Sequence, residues 1–190
     1  MLRIELPHRG DTMSLDRPFQ ASPATPAASL RDHGVLELTW EVFGELCRAL
    51  AFNVSREYEP ELVIGIAKAG VIPGAVVASI LRCDFYSIKI TRRDGADLVH
   101  DEPRILSAAP PQAAGKRVLI VDEICTTGET LRMALAAVRA VRPRQIRTAT
   151  SFAKVGHYKP DFYAVETDAM VIFPWDAAPA TPDFESDAEL

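Results

Sequence analysis

Val118-Leu-Ile-Val-Asp-Glu-Ile-Cys-Thr-Thr-Gly-Glu-Thr130 carries more chemistry than any other stretch of this 190-residue chain. Its apolar start, through Val121, predicts a strand buried on both faces. The strand delivers two adjacent carboxylates, Asp122 and Glu123, and a Thr126-Thr-Gly-Glu-Thr130 turn then opens a helix. Leu131, Ala134, Leu135, Val138 and Val141 mark one face of that helix, and Pro143 ends it. Backbone N–H groups at a helix N-terminus point at a bound anion, Gly128 lets the main chain approach closely, and the hydroxyls of Thr126, Thr127 and Thr130 add donors. The turn therefore suits a phosphate monoester. Asp122 and Glu123 cannot hold phosphate; beside it they suit a sugar diol or a magnesium ion. The plainer alternative makes the acids a helix cap and the threonines a local turn, but an acid pair at a buried strand end is costly without a ligand.

Outward from this stretch, strand and helix patterns alternate. Glu61 to Ala67 is a nearly continuous apolar run, and Pro73 follows where the first turn of a helix through Leu81 tolerates it. Phe85 to Ile90, Ile146 to Phe152 and Ala169 to Phe173 read as further strands. Upstream, Thr39 caps a helix whose Trp40, Phe43, Leu46, Cys47 and Leu50 recur at three- and four-residue spacing, with Glu41 in its first turn. The expected fold class is α/β, a doubly wound and mainly parallel sheet with helices on both faces. Ligands then bind at the carboxyl ends of the strands.

Composition narrows the function. A net charge of −5 with no dense basic block argues against a nucleic-acid binder. Cys47, Cys83 and Cys125 form neither a disulfide framework nor a zinc ribbon, and a reduced, cytoplasmic setting is expected. The longest apolar stretch, Ala69 to Leu81, contains Pro73 and Gly74 and is shorter than the roughly 20 residues of a membrane span. No continuous apolar run marks a secretory signal near the start. Residues 1–30, rich in Pro, Ala and Ser, read as a flexible leader, 31–176 as the folded domain and 177–190 as an acidic tail.

The segment VLIVDEICTTGET resembles the phosphoribosyl diphosphate (PRPP) motif of type I phosphoribosyltransferases. A second segment, Gly65-Ile-Ala-Lys-Ala-Gly-Val-Ile-Pro-Gly74, is similar to the pyrophosphate loop of xanthine-guanine phosphoribosyltransferase and its relatives, in which the peptide before the basic residue is often cis. Here that peptide is Ala67 to Lys68. ELTWEVFGELCRALA, SFAKVGHYKPDFYAVETD and the closing Val171-Ile-Phe-Pro-Trp175 extend the likeness over the central chain. The resemblance implies the type I fold with a small hood, and a magnesium-dependent transfer of ribose 5-phosphate from PRPP to a nitrogenous base, most readily a 6-oxopurine. It implies Asp122, Glu123 and Thr126 as catalytic positions, with Asp122 and Glu123 also serving Mg2+. Thr126, Thr127, Gly128, Glu129 and Thr130 would hold the 5-phosphate, and Lys68, Ala69, Gly70 and Arg92 the pyrophosphate. Lys154, Met170 and Val171 would hold the base. Relatives are usually dimers or tetramers, so a homo-oligomer is expected.

Three departures bear on the acceptor. The fifth position of the PRPP motif, an Asp in many purine enzymes, is Thr126, which cannot act as a general base near neutral pH. The family's stacking aromatic aligns with Met170, and the pyrophosphate loop reads Lys-Ala-Gly rather than basic-Gly-Gly. These departures keep two rivals in view, a PRPP- or nucleotide-sensing regulator of the same fold and an enzyme acting on a non-purine base. Thr91 to Gly115 is expected to be the family's mobile catalytic loop. His100 and His157 lack partners at metal-ligand spacing.

Overall fold

The structure, a computed structural model, describes residues 34–94 and 98–176, so the expected leader and acidic tail lie outside the described residues. Along the chain run β1 (Val35–Glu37), α1 (Trp40–Glu57), β2 (Leu62–Ala67), α2 (Val71–Leu81), β3 (Asp84–Asp94), β4 (Leu98–Ile105), β5 (Arg117–Cys125), α3 (Glu129–Ala140), β6 (Gln145–Lys154), β7 (Phe162–Thr167) and β8 (Met170–Ile172). Six strands form one sheet in the order β4-β3-β2-β5-β6-β7. All its pairings are parallel except β3 with β4. β1 and β8 pair in a separate parallel two-stranded sheet, with Val35 opposite Met170 and Glu37 opposite Ile172.

The unbroken apolar runs of β2 and β5 follow from their central place, because each has helices on both faces. Leu62, Ile64, Ile66, Val118 and Ile120 pack with Leu131, Ala134 and Val138 of α3. Their alternate neighbours, Val63, Leu119 and Val121, pack with Leu50, Ala51 and Val54 of α1 and Val77 and Ala78 of α2. Each such large side chain, fully buried, contributes roughly 1.5–3 kcal/mol. Chain direction out of the two strands decides where a ligand can sit. From β2 the chain crosses through α2 to β3 on one side; from β5 it crosses through α3 to β6 on the other. The divergence opens a crevice at the carboxyl ends of β2 and β5, the switch point where open α/β sheets bind ligands.

Helix α1 begins as its sequence requires. Thr39 is extended (φ −86°, ψ 163°), and its hydroxyl oxygen accepts the Val42 N–H at 3.3 Å. The helix outruns the expected face by two turns, because Ala51 and Val54 continue the buried stripe. Tyr58 then ends it, its N–H donating to the Val54 carbonyl and its hydroxyl to the Val118 carbonyl at 3.0 Å. That anchor ties α1 to the middle of the sheet.

Three strands and one loop require correction. Thr91 to Gly115 is not a structureless loop: β3 continues to Asp94 and β4 returns antiparallel from Leu98, with a register shift between Thr91 and Arg93. Pro103 is tolerated there because β4 is an edge strand and one face of its ladder is unpaired. β7 lies at the opposite edge, and only its first and last residues are buried, so it shows no alternation to read. β1 spans three residues, too few to leave a pattern, whereas β8 falls within the expected strand Ala169 to Phe173.

Candidate active site

The turn after β5 occupies the switch point. Asp122 is buried at 7% exposure, Glu123 is half-buried, and Thr126 and Thr127 are exposed. The Thr127 hydroxyl oxygen accepts the Glu129 N–H at 3.4 Å, and the Arg132 N–H donates to the Gly128 carbonyl at 2.9 Å, starting α3. Asp122 and residues 124–131 line an open cleft of about 420 Å³. Gly128 has φ +81°, a left-handed conformation that favours glycine. A second cause of the glycine is steric, since a Cβ there would lie 2.4 Å from the Tyr158 ring.

The loop after β2 meets this turn. The Ala67–Lys68 peptide is cis. Lys68 is exposed and Ala69 half-buried, and their carbonyls accept from Val71 and Ile72 N–H at 3.2 and 3.0 Å as α2 starts. Gly70 is buried against Asp122: a Cβ on it would stand 2.6 Å from Asp122 Oδ1 and 2.9 Å from Asp122 Cα. The loop after β2, far away in sequence, thus meets β5 at the carboxylate that precedes the turn. Burial pushes the Asp122 carboxyl well above the usual carboxylate range, and the side chain and charge of Glu123 push the same way; the hydrogen bond that Asp122 Oδ1 accepts from the Glu123 N–H at 3.1 Å opposes them.

The third side of the site comes from β6. Cys125 pairs with Ala153, which carries Lys154 to the level of Thr126 on the neighbouring strand. The Lys154 ammonium donates to the carbonyls of Asp168 at 2.5 Å and Ala169 at 3.1 Å, so it ties the end of β6 to the segment entering β8. Met170, on β8, is 65% exposed, and Val171 packs against the cluster of Leu38, Phe43, Cys47, Phe152 and Phe173. Trp175 belongs to that cluster too, stacked on Phe173 with centroids 4.7 Å apart and edge-on to Phe43 at 5.0 Å. Its role here is packing of the small sheet.

The structure therefore gathers Asp122, Glu123, Thr126–Thr130, Lys68–Gly70 and Lys154 at one end of the sheet. Arg92 lies on the backbone of β3, and Met170 and Val171 lie in the small β1–β8 sheet. Tyr158, which sequence reasoning assigned no role, sits against the turn. Among the described residues no group of three or more His, Cys, Asp or Glu could hold a metal ion, and no helix is long and apolar enough to cross a membrane.

Comparison with known proteins agrees with this fold. Residues 38–185 match the model of the phosphoribosyl transferase domain. A xanthine-guanine phosphoribosyltransferase of Gluconobacter oxydans is 29% identical over 148 residues, 75% of this chain and 84% of that protein. A transcriptional regulator, GfcR of Archaeoglobus fulgidus, is 32% identical over 96 residues, 50% of this chain and 49% of that protein. Among solved structures, a purine phosphoribosyltransferase from Pyrococcus horikoshii superposes with a TM-score of 0.67 at 29% identity, covering 77% of this chain and 97% of that one.

Proposed function

The chain belongs to the phosphoribosyl transferase domain family and is a phosphoribosyltransferase, and from that premise we propose that it transfers the ribose 5-phosphate of PRPP to a 6-oxopurine. The observation that carries the reading is the contact of Gly70 with Asp122, which sets the Lys68–Gly70 loop beside the Thr126–Thr130 turn at the switch point. Such a pair of backbone-rich loops accommodates the two phosphorylated ends of one small molecule. The 5-phosphate goes to residues 126–130 and the pyrophosphate to Lys68, Ala69, Gly70 and Arg92. Lys154, at the level of Thr126, faces the base together with Met170 and Val171.

In the reaction the C1–O bond to pyrophosphate breaks with its electron pair leaving on oxygen, a ring nitrogen forms the new bond to C1, and the nitrogen's proton is released. Asp122 and Glu123 hold the ribose hydroxyls and offset the positive charge that develops on the sugar. Lys68 meets the charge of the departing diphosphate. Catalysis is then chiefly positioning and charge stabilisation. The donor chemistry fits Mg2+: a desolvated carboxylate next to a half-exposed one is stabilised by a hard cation, which needs only one or two carboxylates and keeps several waters. Asp122 and Glu123 would hold the ion, which would supply neutralisation of phosphate and hydroxyl charge.

A pyrophosphate-release assay with PRPP, Mg2+ and a panel of purine and pyrimidine bases tests the reading. Release with xanthine, guanine or hypoxanthine is the expected result. Release with a non-purine base alone, a reading that Thr126 and the exposed Met170 favour, would replace the purine assignment. PRPP binding with no release for any base would overturn transfer and leave a ligand-sensing role.

A further inference from the structure

Tyr158 touches the β5–α3 turn at its beginning, middle and end. Before the turn, Cys125 Sγ donates to the Tyr158 carbonyl at 3.4 Å. At its middle, the ideal Cβ position of Gly128 lies 2.4 Å from both Cγ and Cδ1 of the Tyr158 ring and 2.7 Å from its Cβ. After it, the Arg132 guanidinium stands 4.8 Å from the ring centroid, within range of an attractive cation–ring contact. The ring also packs on the core cluster that contains Cys125 and Leu131, so its position is fixed from below.

These contacts leave little freedom to the turn. Gly128 holds a left-handed φ, and the ring closes the space where a side chain would project, so the main chain of the turn is packed against the ring. We propose that Tyr158 is the positioning residue of the phosphate turn, its ring acting as a backstop that keeps residues 126–130 in their anion-binding shape. The inference rests on the phosphate assignment made above. It concerns the ring and not the hydroxyl, because the ring atoms make the contact with Gly128 and Arg132. The same segment begins at Lys154, whose carbonyl accepts the His157 N–H at 3.4 Å in a turn through Gly156, so the backstop is anchored to the strand that carries the base-facing lysine.

The test compares Tyr158→Phe and Tyr158→Leu with the unsubstituted protein, using calorimetric titration with ribose 5-phosphate and the kinetics of pyrophosphate release. Tyr158→Leu should weaken ribose 5-phosphate binding and raise KM for PRPP on the order of tenfold, with KM for the base and kcat at saturating PRPP nearly unchanged. Tyr158→Phe should restore both values to within about twofold. Unchanged PRPP and ribose 5-phosphate affinity in a folded Tyr158→Leu would overturn the proposal, and so would a Phe variant as impaired as Leu. Should Tyr158→Leu not fold, Arg132→Met removes the cation over the ring and should raise KM for PRPP in the same direction; no change there counts against the backstop. An unsubstituted protein that binds no ribose 5-phosphate would overturn the phosphate assignment itself, and the backstop with it, whereas a protein that binds it equally with and without the ring loses only the backstop.

Discussion

Asp122 Oδ1 lies 2.6 Å from the point where a Cβ would stand on Gly70, so the loop after β2 is seated on the first carboxylate of the acid pair. No Cβ fits there without displacing either the carboxyl or the backbone of β5. Gly70 has φ −64°, which any residue adopts, so the glycine is required by space and not by conformation. Gly70→Ala should cost about 1–3 kcal/mol through overpacking and raise KM for PRPP, because the added methyl displaces the Lys68–Gly70 loop from Asp122. Gly44→Ala is the control: nothing lies within 4 Å of its Cβ position inside α1, and it should stabilise by about 0.5–1 kcal/mol. Chemical denaturation of both variants checks the contrast, and equal stabilities would refute the contact's importance.

The raised carboxyl of Asp122 predicts a pH dependence of opposite sign to that of a salt-bridged acid. Unfolded, the group titrates near 3.8; folded, burial first and Glu123 next hold its pKa well above that. Between the two values the folded chain binds more protons than the unfolded one, so stability falls as pH rises through this window and stays at the lower level above it. Asp122→Asn removes the loss while keeping an oxygen for the Glu123 N–H. Without added Mg2+, the variant should melt above the parent protein near neutral pH, and the gain should vanish below about pH 4. A variant that melts lower at neutral pH would mean that the carboxylate is ionised and paired. Combined with Glu123→Gln it should stay folded and lose most turnover, since in the proposed reaction the acids hold the ribose hydroxyls.

Lys154 donates to two carbonyls of the segment entering β8, which leaves one of its three protons for the base. Lys154→Gln should therefore raise KM for the base and leave KM for PRPP within about twofold, because the phosphate turn is built from other residues. Initial-rate kinetics with each substrate varied in turn separate the two. An equal rise in both constants would remove Lys154 from the base assignment.

How far the sequence discloses this site depends on how local each interaction is. Strand, acid pair and phosphate turn lie within Val118–Thr130, and their hydrophobic pattern, charges and glycine are legible because strand, turn and helix follow one another without a break. The central strands are legible for a related reason, since burial on both faces forces continuous apolar runs. Edge elements are not: β4 carries His100, Asp101, Glu102 and Pro103, a composition that speaks against a strand and is tolerated only with one side unpaired. The seat of Gly70 on Asp122 and the ring of Tyr158 over Gly128 join residues from different strands' ends. A glycine in a sequence reports that something is close without saying what, and the fold supplies the neighbour.

Thr126 gives the sharpest test of the chemistry. It is exposed at the head of the turn, level with Lys154 at the end of the neighbouring β6, and its hydroxyl cannot take a proton from a purine near neutral pH. Cys125, next to it, does not replace the missing acid, because burial pushes its thiol up to about 11. The nucleophile must then arrive with its proton already labile, so xanthine, the most acidic of the three 6-oxopurines, should be turned over fastest, and its rate should rise with pH as the anion becomes populated. Thr126→Asp should restore proton transfer to guanine and hypoxanthine and flatten the pH dependence for xanthine. The new carboxylate stands near Asp122 and Glu123, and their repulsion raises its pKa, so the gain should appear only above that value. Turnover measured against pH for each base in both proteins distinguishes the outcomes. Flat profiles without gain for guanine or hypoxanthine would assign the site a different nucleophile.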